Sequence, residues 1–172
     1  MAVAIPHVSI APMAAEDIPA VHEIETRSYA IVWHENAYLV ELGNRCACYL
    51  SAHFNGQVVG YAGMWVVADE AHITTMAVDP PYRGRRIGER LFLGLMEEAV
   101  RRGAERASLE VRERNLIAQR LYKRFGYREA AIRKKYYSDN EENAIVMWVD
   151  NMRSPEYRQL LRDVRQLIDE SQ

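Results

Sequence analysis

The stretch Val78-Asp-Pro-Pro-Tyr-Arg-Gly-Arg-Arg-Ile-Gly88 constrains the fold more than any other. It leaves an apolar run, Ile73 to Val78, and crosses two prolines. It then enters a segment with apolar residues at Ile87, Leu91, Leu95 and Ala99. The change of period predicts a strand, a tight turn and an amphipathic helix. A turn of this kind presents unpaired N–H groups and the positive end of the helix dipole, which together suit an anion. Arg83, Arg85 and Arg86 add positive charge beside it. The ligand this predicts is a phosphate or pyrophosphate; the alternative is a merely solvated helix cap. The glycine spacing is neither that of a Walker loop nor that of a dinucleotide fingerprint.

The chain of 172 residues is long enough for one domain with its own core. Its 49% apolar and 27% charged residues place it among soluble globular proteins. A formal charge of −2 offers no general attraction to nucleic acid or an anionic membrane, so neither is an expected partner. No apolar stretch has the roughly 18 residues of a membrane span, and no secretory signal is evident. Cys46 and Cys48 read as strand residues of one face in a reducing compartment. A cytoplasmic protein without a metal site is therefore expected.

The periodicity gives the order of elements. Val8 to Ile10 reads as a strand, Ala15 to Tyr29 as a helix, Ala30 to His34 as a loop and Asn36 to Leu42 as a short helix. Cys46 to Phe54 and Gln57 to Val67 form a hairpin around Asn55-Gly56, the strongest short hairpin signal, and Ala71 to Val78 adds a third strand. The next helix stops at Gly103. Ala107 to Arg112 alternates as a strand, and Asn115 caps a helix that ends at Gly126. Tyr127 to Tyr137 and Ala144 to Val149 complete the strands. The helical crossover from the third strand to Ala107–Arg112 is expected to make that pair parallel. The fold class is thus α/β (α+β), a mixed central sheet of about six to seven strands flanked by helices. Residues 1–150 form the domain and 151–172 a helical tail. The tail stripe, Tyr157, Leu160, Leu161, Val164, Leu167 and Ile168, either docks on its own domain or offers a partner surface. The expected state is a monomer or weak dimer.

Three motifs in order resemble those of the GNAT family of N-acetyltransferases, and within it the RimI type, which acetylates the N-terminal alanine of a ribosomal protein. The resemblance covers about residues 8 to 150. The family's acetyl-CoA loop, Q/R-x-x-G-x-G/A, is similar to Arg83-Gly84-Arg85-Arg86-Ile87-Gly88, with Arg86 where glycine is usual. Arg86 leaves the loop intact if its φ is negative, as in the first turn of a helix, and that is the expectation; a positive φ would weaken binding. The block Leu109-Glu110-Val111-Arg112-Glu113-Arg114-Asn115, followed by Leu121-Tyr122-Lys123-Arg124-Phe125-Gly126-Tyr127, resembles L-E-V-R-x-x-N and A-x-x-L-Y-x-x-x-G-F. Arg133 with Tyr136-Tyr137 resembles R-x-x-Y-Y of the substrate-side hairpin.

The resemblance implies a GNAT fold, acetyl-CoA as co-substrate, and a protein or peptide N-terminus as acceptor. It assigns Glu110 as the base and Tyr122 as the acid that meets the thioester sulfur. It assigns Met76, Val78, Arg83, Gly84, Arg85, Arg86, Ile87, Gly88 and Asn115 to the cofactor. Trp33, Arg133, Tyr136 and Tyr137 are candidates for the acceptor groove. Read from the residues alone, Glu110 is rather a strand carboxylate paired with Arg112 or Arg114, and Tyr122 can be a partly buried helix tyrosine. His72 and Glu70 are alternative bases. An α-amine, with a pKa near 7.7–8.0, is about 2.5 units easier to deprotonate than lysine, roughly 3.4 kcal/mol, which favours an N-terminal acceptor. A small-molecule amine acetyltransferase and a non-catalytic acetyl-CoA-binding module remain the alternatives.

Overall fold

A computed structural model describes residues 7–171. Its seven strands are β1 (Val8–Pro12), β2 (Ala47–Phe54), β3 (Gln57–Val67), β4 (Glu70–Val78), β5 (Arg106–Arg112), β6 (Arg128–Arg133) and β7 (Ala144–Val149). The helices are α1 (Ile18–Ser28), α2 (Glu35–Leu42), α3 (Ile87–Arg101), α4 (Leu116–Arg124) and α5 (Pro155–Asp169), with 3-10 turns at Ala15–Asp17 and Pro80–Tyr82. The strands form one mixed sheet in the order β1-β2-β3-β4-β5-β7-β6. The expected parallel pair is present, with β4 aligned to β5 so that His72 faces Ser108. Among the described residues no helix is long and apolar enough to cross a membrane.

The chain divides into two compact units. One contains residues up to Met64 together with Thr75–Leu95, the other Trp65–Thr74 and Met96 onward. In the first, β1 pairs antiparallel with β2. The β2–β3 turn has positive φ at both Asn55 and Gly56, which matches the strand twist. Met13, Ile18, Val21, Ile24, Tyr38, Tyr49 and Tyr61 pack into one apolar cluster, against which Trp33 also rests. In the second unit β5 pairs antiparallel with β7, and β7 with β6, the last with a register shift between Glu129 and Ala131.

Two expected strands are shorter than the pattern suggested. The one drawn from Cys46 starts at Ala47, because Asn44 accepts the Cys46 N–H through its side chain at 3.0 Å and the Ala47 N–H through its carbonyl at 3.0 Å. Cys46 is therefore an exposed turn residue and Cys48 a buried strand residue, and no disulfide joins them. The strand expected through Tyr137 ends at Arg133. Beyond it Lys135 takes a positive φ of 52° and gives its N–H to the Asn143 side chain at 3.0 Å, which turns the chain out of the ladder.

One buried polar group in the first unit has a thermodynamic consequence. Glu25 is 3% exposed and its Oε2 has no well-aligned hydrogen bond; the Tyr38 and Tyr61 hydroxyls are likewise buried without one. Burial drives the Glu25 pKa above its usual 4.5, against the smaller opposing influence of Tyr38, the Trp33 backbone and His22. The folded state therefore holds this proton more tightly than the unfolded chain. Stability from this group is fully present below pH 4.5 and is lost as pH rises through the folded-state value. Glu25→Gln, which imitates the protonated form, is expected to be more stable than wild type at neutral pH. That gain should shrink as pH falls to about 4.5, as read by urea midpoints at a series of pH values.

Candidate active site

In the first unit the Arg/Gly turn is anchored from behind. Arg27 on α1 holds the buried Asp79 carboxylate with Nη1 at 2.9 and 3.1 Å. The Asp79 carbonyl accepts from Tyr82 N–H at 2.9 Å. Arg83 Nε donates to the Val78 carbonyl at 3.0 Å, and the Met76 carbonyl accepts from the Tyr29 hydroxyl. Arg85 lies over the Phe54 and Tyr82 rings, 5.5 Å from each centroid. The first intrahelical bond of α3 runs from Arg90 N–H to the Arg86 carbonyl at 3.1 Å. The N–H groups of Ile87 and Gly88 thus stand at the open N-terminus of α3, beside three exposed arginines. The strand, turn and helix follow one another in the order the sequence suggested.

The conformation of Arg86 overturns an expectation. Its φ is +58°, not negative, and Gly84 takes +79°. Both residues must turn left-handed to swing the chain from the Pro80–Tyr82 turn into α3. Glycine does this freely, whereas arginine is strained there by its Cβ. The strain sits in the turn that would approach a pyrophosphate.

In the second unit, β5 alternates as read. Ala107, Leu109 and Val111 are buried and Glu110 points to the other face, its side chain 14% exposed. Its partners are neither Arg112 nor Arg114. His72 Nε2 stands 3.3 Å from Oε2, and Arg133 Nη2 4.0 Å from Oε1. On its other side His72 Nδ1 meets Ser108 Oγ at 3.0 Å. With the Ser108 hydroxyl donating to Nδ1, the tautomer carrying its proton on Nε2 turns that proton to the Glu110 side, where the nitrogen stands at ion-pair distance. Glu70, the other alternative base, is paired with Arg106 at 3.6 Å.

Arg112 is occupied elsewhere. Its Nη2 reaches both Asp139 oxygens at 3.0 Å, and its Nη1 reaches Asn140 at 3.2 and Glu142 at 3.3 Å. Its Cζ lies 3.9 Å from the Tyr137 ring centroid. Glu142 also accepts the Arg114 N–H at 2.9 Å, and Asn143 donates to Glu113 at 3.2 Å. The Arg114 N–H, then Asn140 and Arg112, hold the Glu142 carboxyl below its ordinary range. The whole β6–β7 loop is thereby tied to the end of β5. Tyr136 and Tyr137 stack edge-on at 5.1 Å, and Arg133 lies 5.6 Å from the Tyr136 ring.

Asn115 caps α4 as read, its side chain accepting the Ala118 N–H at 3.1 Å. Gln119, buried one turn on, donates to the Arg112 and Glu113 carbonyls at 3.1 and 2.9 Å and fastens the β5–α4 connection. Tyr122 is buried on the same helix, its ring tilted against Tyr127 at 6.1 Å. Trp33 lies in the first unit, 5.5 Å from the Tyr38 ring, with its carbonyl 3.1 Å from His22 Nδ1. The second unit therefore gathers Glu110, Arg133, Tyr136 and Tyr137, and the first holds the Arg/Gly turn and Trp33. Sequence reasoning missed Arg27, Tyr29, Gln119 and Glu142, whose partners lie far along the chain. The one available signal was the density of polar residues from Ser138 to Asn143 facing a lone strand-end arginine.

The sequence profile of the Acetyltransferase (GNAT) family matches residues 18–127. The chain belongs to this family. Over 143 residues this GNAT acetyltransferase is 37% identical to the ribosomal protein bS18-alanine N-acetyltransferase of Escherichia coli (strain K12), across 81% of this chain and 95% of that one. A Bacillus subtilis (strain 168) relative, which carries the same activity as a provisional name, is 46% identical over 138 residues, 80% of this chain and 91% of its own. The crystal structure of the Escherichia coli ribosomal-protein-S18-alanine N-acetyltransferase superposes with a TM-score of 0.77 at 33% identity, covering 84% of this chain and 94% of that one. The mixed seven-stranded sheet is the GNAT fold of that neighbour.

Two outcomes are expected from this geometry. Arg86→Gly removes the left-handed arginine at the loss of one exposed ion pair to Glu89, and should stabilise the fold by about 1 kcal/mol, roughly 2–4 °C in Tm by calorimetry. Arg112→Lys keeps the charge but not the planar fork. Amide hydrogen exchange across residues 134–143 should speed up by about tenfold, with little change in the exchange of β5.

Proposed function

We propose that this acetyltransferase moves an acetyl group from acetyl-CoA to the α-amine of a protein N-terminus, with alanine-starting ribosomal-protein termini as its acceptor class. The observation that carries the reading is the Glu110 carboxylate, sheltered on β5, steadied by His72 and standing next to the aromatic hairpin of Arg133, Tyr136 and Tyr137. The names of the Escherichia coli and Bacillus subtilis relatives support the acceptor class.

The positive N-terminal end of α3, with Arg83, Arg85 and Arg86, fits the charge of a pyrophosphate. Acetyl-CoA supplies the thioester; the chain's own residues bind it and move protons. Arg83 to Gly88 hold the phosphates, and the backbone of Met76 and Val78 takes the pantetheine arm as an added strand. Their carbonyls already accept from Tyr29 and Arg83, so the arm uses their second lone pairs. Asn115, its oxygen committed to the cap, has its amide N–H₂ for the same arm.

Glu110 takes the amine proton, directly or through water. With His72 donating to Oε2, the other oxygen faces the proton, and the imidazole holds the carboxylate in one orientation. Tyr122 donates a hydrogen bond to the sulfur as it becomes a thiolate. Full transfer from a phenol of pKa about 10 to a thiolate of about 8.5 is uphill, so the hydrogen bond is its contribution. Arg133, Tyr136 and Tyr137 grip the acceptor backbone, and Trp33 is a further residue proposed for the acceptor.

The test is thiol release from acetyl-CoA with three acceptors: a short alanine-starting peptide, the same peptide already N-acetylated, and a polyamine. Release is expected only with the free terminus, and Glu110→Gln and Tyr122→Phe should each lower kcat by about 10²-fold or more. Turnover on the polyamine alone would replace the peptide reading with a small-amine one. Tight acetyl-CoA binding with no turnover on any acceptor would point to a binding module.

A further inference from the structure

The C-terminal helix lies beyond the stretch matched by the family profile, which ends at residue 127. It is not a loose tail. Ser154 caps it, accepting the Tyr157 N–H at 3.1 Å, and Pro155 stands at its first position. Tyr157, Leu161, Val164 and Ile168 are buried, and Leu167 is the large apolar residue left exposed. Arg165 binds Glu97 of α3 at 2.6 Å, and Arg153 binds Glu105 at 3.3 Å. Of the two readings open for the stripe, docking on its own unit is the one realised.

What it docks against is the end of α4. The carbonyl of Tyr122 accepts two bonds, from Phe125 N–H at 3.0 Å and Tyr127 N–H at 3.2 Å. Between those donors Gly126 turns left-handed at φ +84° and gives its N–H to the Lys123 carbonyl at 3.1 Å. α5 lies directly behind that glycine. A Cβ there would stand 3.6 Å from the Tyr157 ring, 3.9 Å from the Leu160 side chain and 3.4 Å from Val149 on β7. The next ring, Tyr127, is wholly enclosed, reaches the Met96 sulfur at 3.4 Å, and leans on Tyr122 at 6.1 Å. Tyr157, Gly126–Tyr127 and Tyr122 thus form a continuous packed line from the tail helix to the residue proposed as acid. Burial pushes the Tyr157 hydroxyl, which has no hydrogen-bond partner, and the Tyr127 hydroxyl above the usual tyrosine range, so these two hydroxyls stay uncharged.

We infer that α5 is part of the catalytic apparatus and that Tyr157 is a positioning residue: its ring braces the Gly126 turn and so fixes where the Tyr122 hydroxyl stands. This rests on the reading of Tyr122 as the donor to the leaving thiolate. A close-packed interior passes displacement along such a line instead of absorbing it. A misplacement of about 1 Å at a reacting group costs on the order of 10²-fold in rate. The ring does the bracing. The hydroxyl has no partner to lose, so phenylalanine should serve as well.

The experiment is a double-mutant cycle on the full chain, reading kcat, both KM values and Tm. Tyr157→Ala should lower kcat by about tenfold or more while KM for acetyl-CoA moves by less than about twofold, and Tyr157→Phe should keep kcat within about twofold. In a Tyr122→Phe background, Tyr157→Ala should cost less than about twofold further, because the group it positions is already gone. An equal loss in both backgrounds would show general loosening and overturn the inference, as would unchanged kcat in a folded Tyr157→Ala protein. If Tyr157→Ala does not fold, Leu160→Ala, which touches the same turn, takes its place in the cycle: a loss confined to the Tyr122 background supports the inference, and an equal loss in both overturns it. Wild-type kcat in Tyr122→Phe alone is a separate result: it removes the acid role itself, and with it the target that α5 is inferred to hold.

Discussion

β5 is bonded in parallel to β4 on one side and antiparallel to β7 on the other, and the chemistry of the second unit depends on that double registration. The β4 register sets His72 beside Ser108, which brings its ring within reach of Glu110 two residues on. The β7 register sets Arg112 opposite Ala144, where the β6–β7 loop returns, so its guanidinium can gather Asp139, Asn140 and Glu142. A slip of one residue on either side would turn Glu110 to the opposite face and dissolve both arrangements.

The charged groups of the two units are handled differently. Asp79 is buried and both its oxygens accept from one arginine nitrogen, Arg27 Nη1, which secures the turn leading into α3. Arg112 spreads one planar fork over three polar side chains and a ring, and so orders a loop that has little apolar content of its own. Glu110 is left only partly compensated, by a histidine and by an arginine at the limit of contact. Under the proposed role as base, a carboxylate held this loosely keeps an oxygen for the amine proton.

Strain is placed in the same spirit. The left-handed conformation at Arg86 costs stability in the turn that leads into α3. At Gly126 the same region of φ is reached with no Cβ, and there the space is filled by α5. One turn is open and charged, the other closed and apolar.

The sequence by itself determined everything that depends on local period and on chemistry within a few residues. It identified the strand–turn–helix at Val78–Gly88, the Asn55-Gly56 hairpin, the caps at Asn115 and Ser154, the alternation that turns Glu110 away from the core, and the order of motifs that marks the family. It overran the strand after Tyr127, because nothing local announces the positive φ at Lys135, and it misjudged Arg86 for the same reason. Only the tertiary structure decided that Glu110 pairs with His72 instead of its neighbour Arg112, that Arg27 secures Asp79, and that the tail stripe lies behind Gly126. Periodicity reports which face a side chain takes, whereas its partner on that face is chosen by strand register and helix docking, and these join residues tens of positions apart.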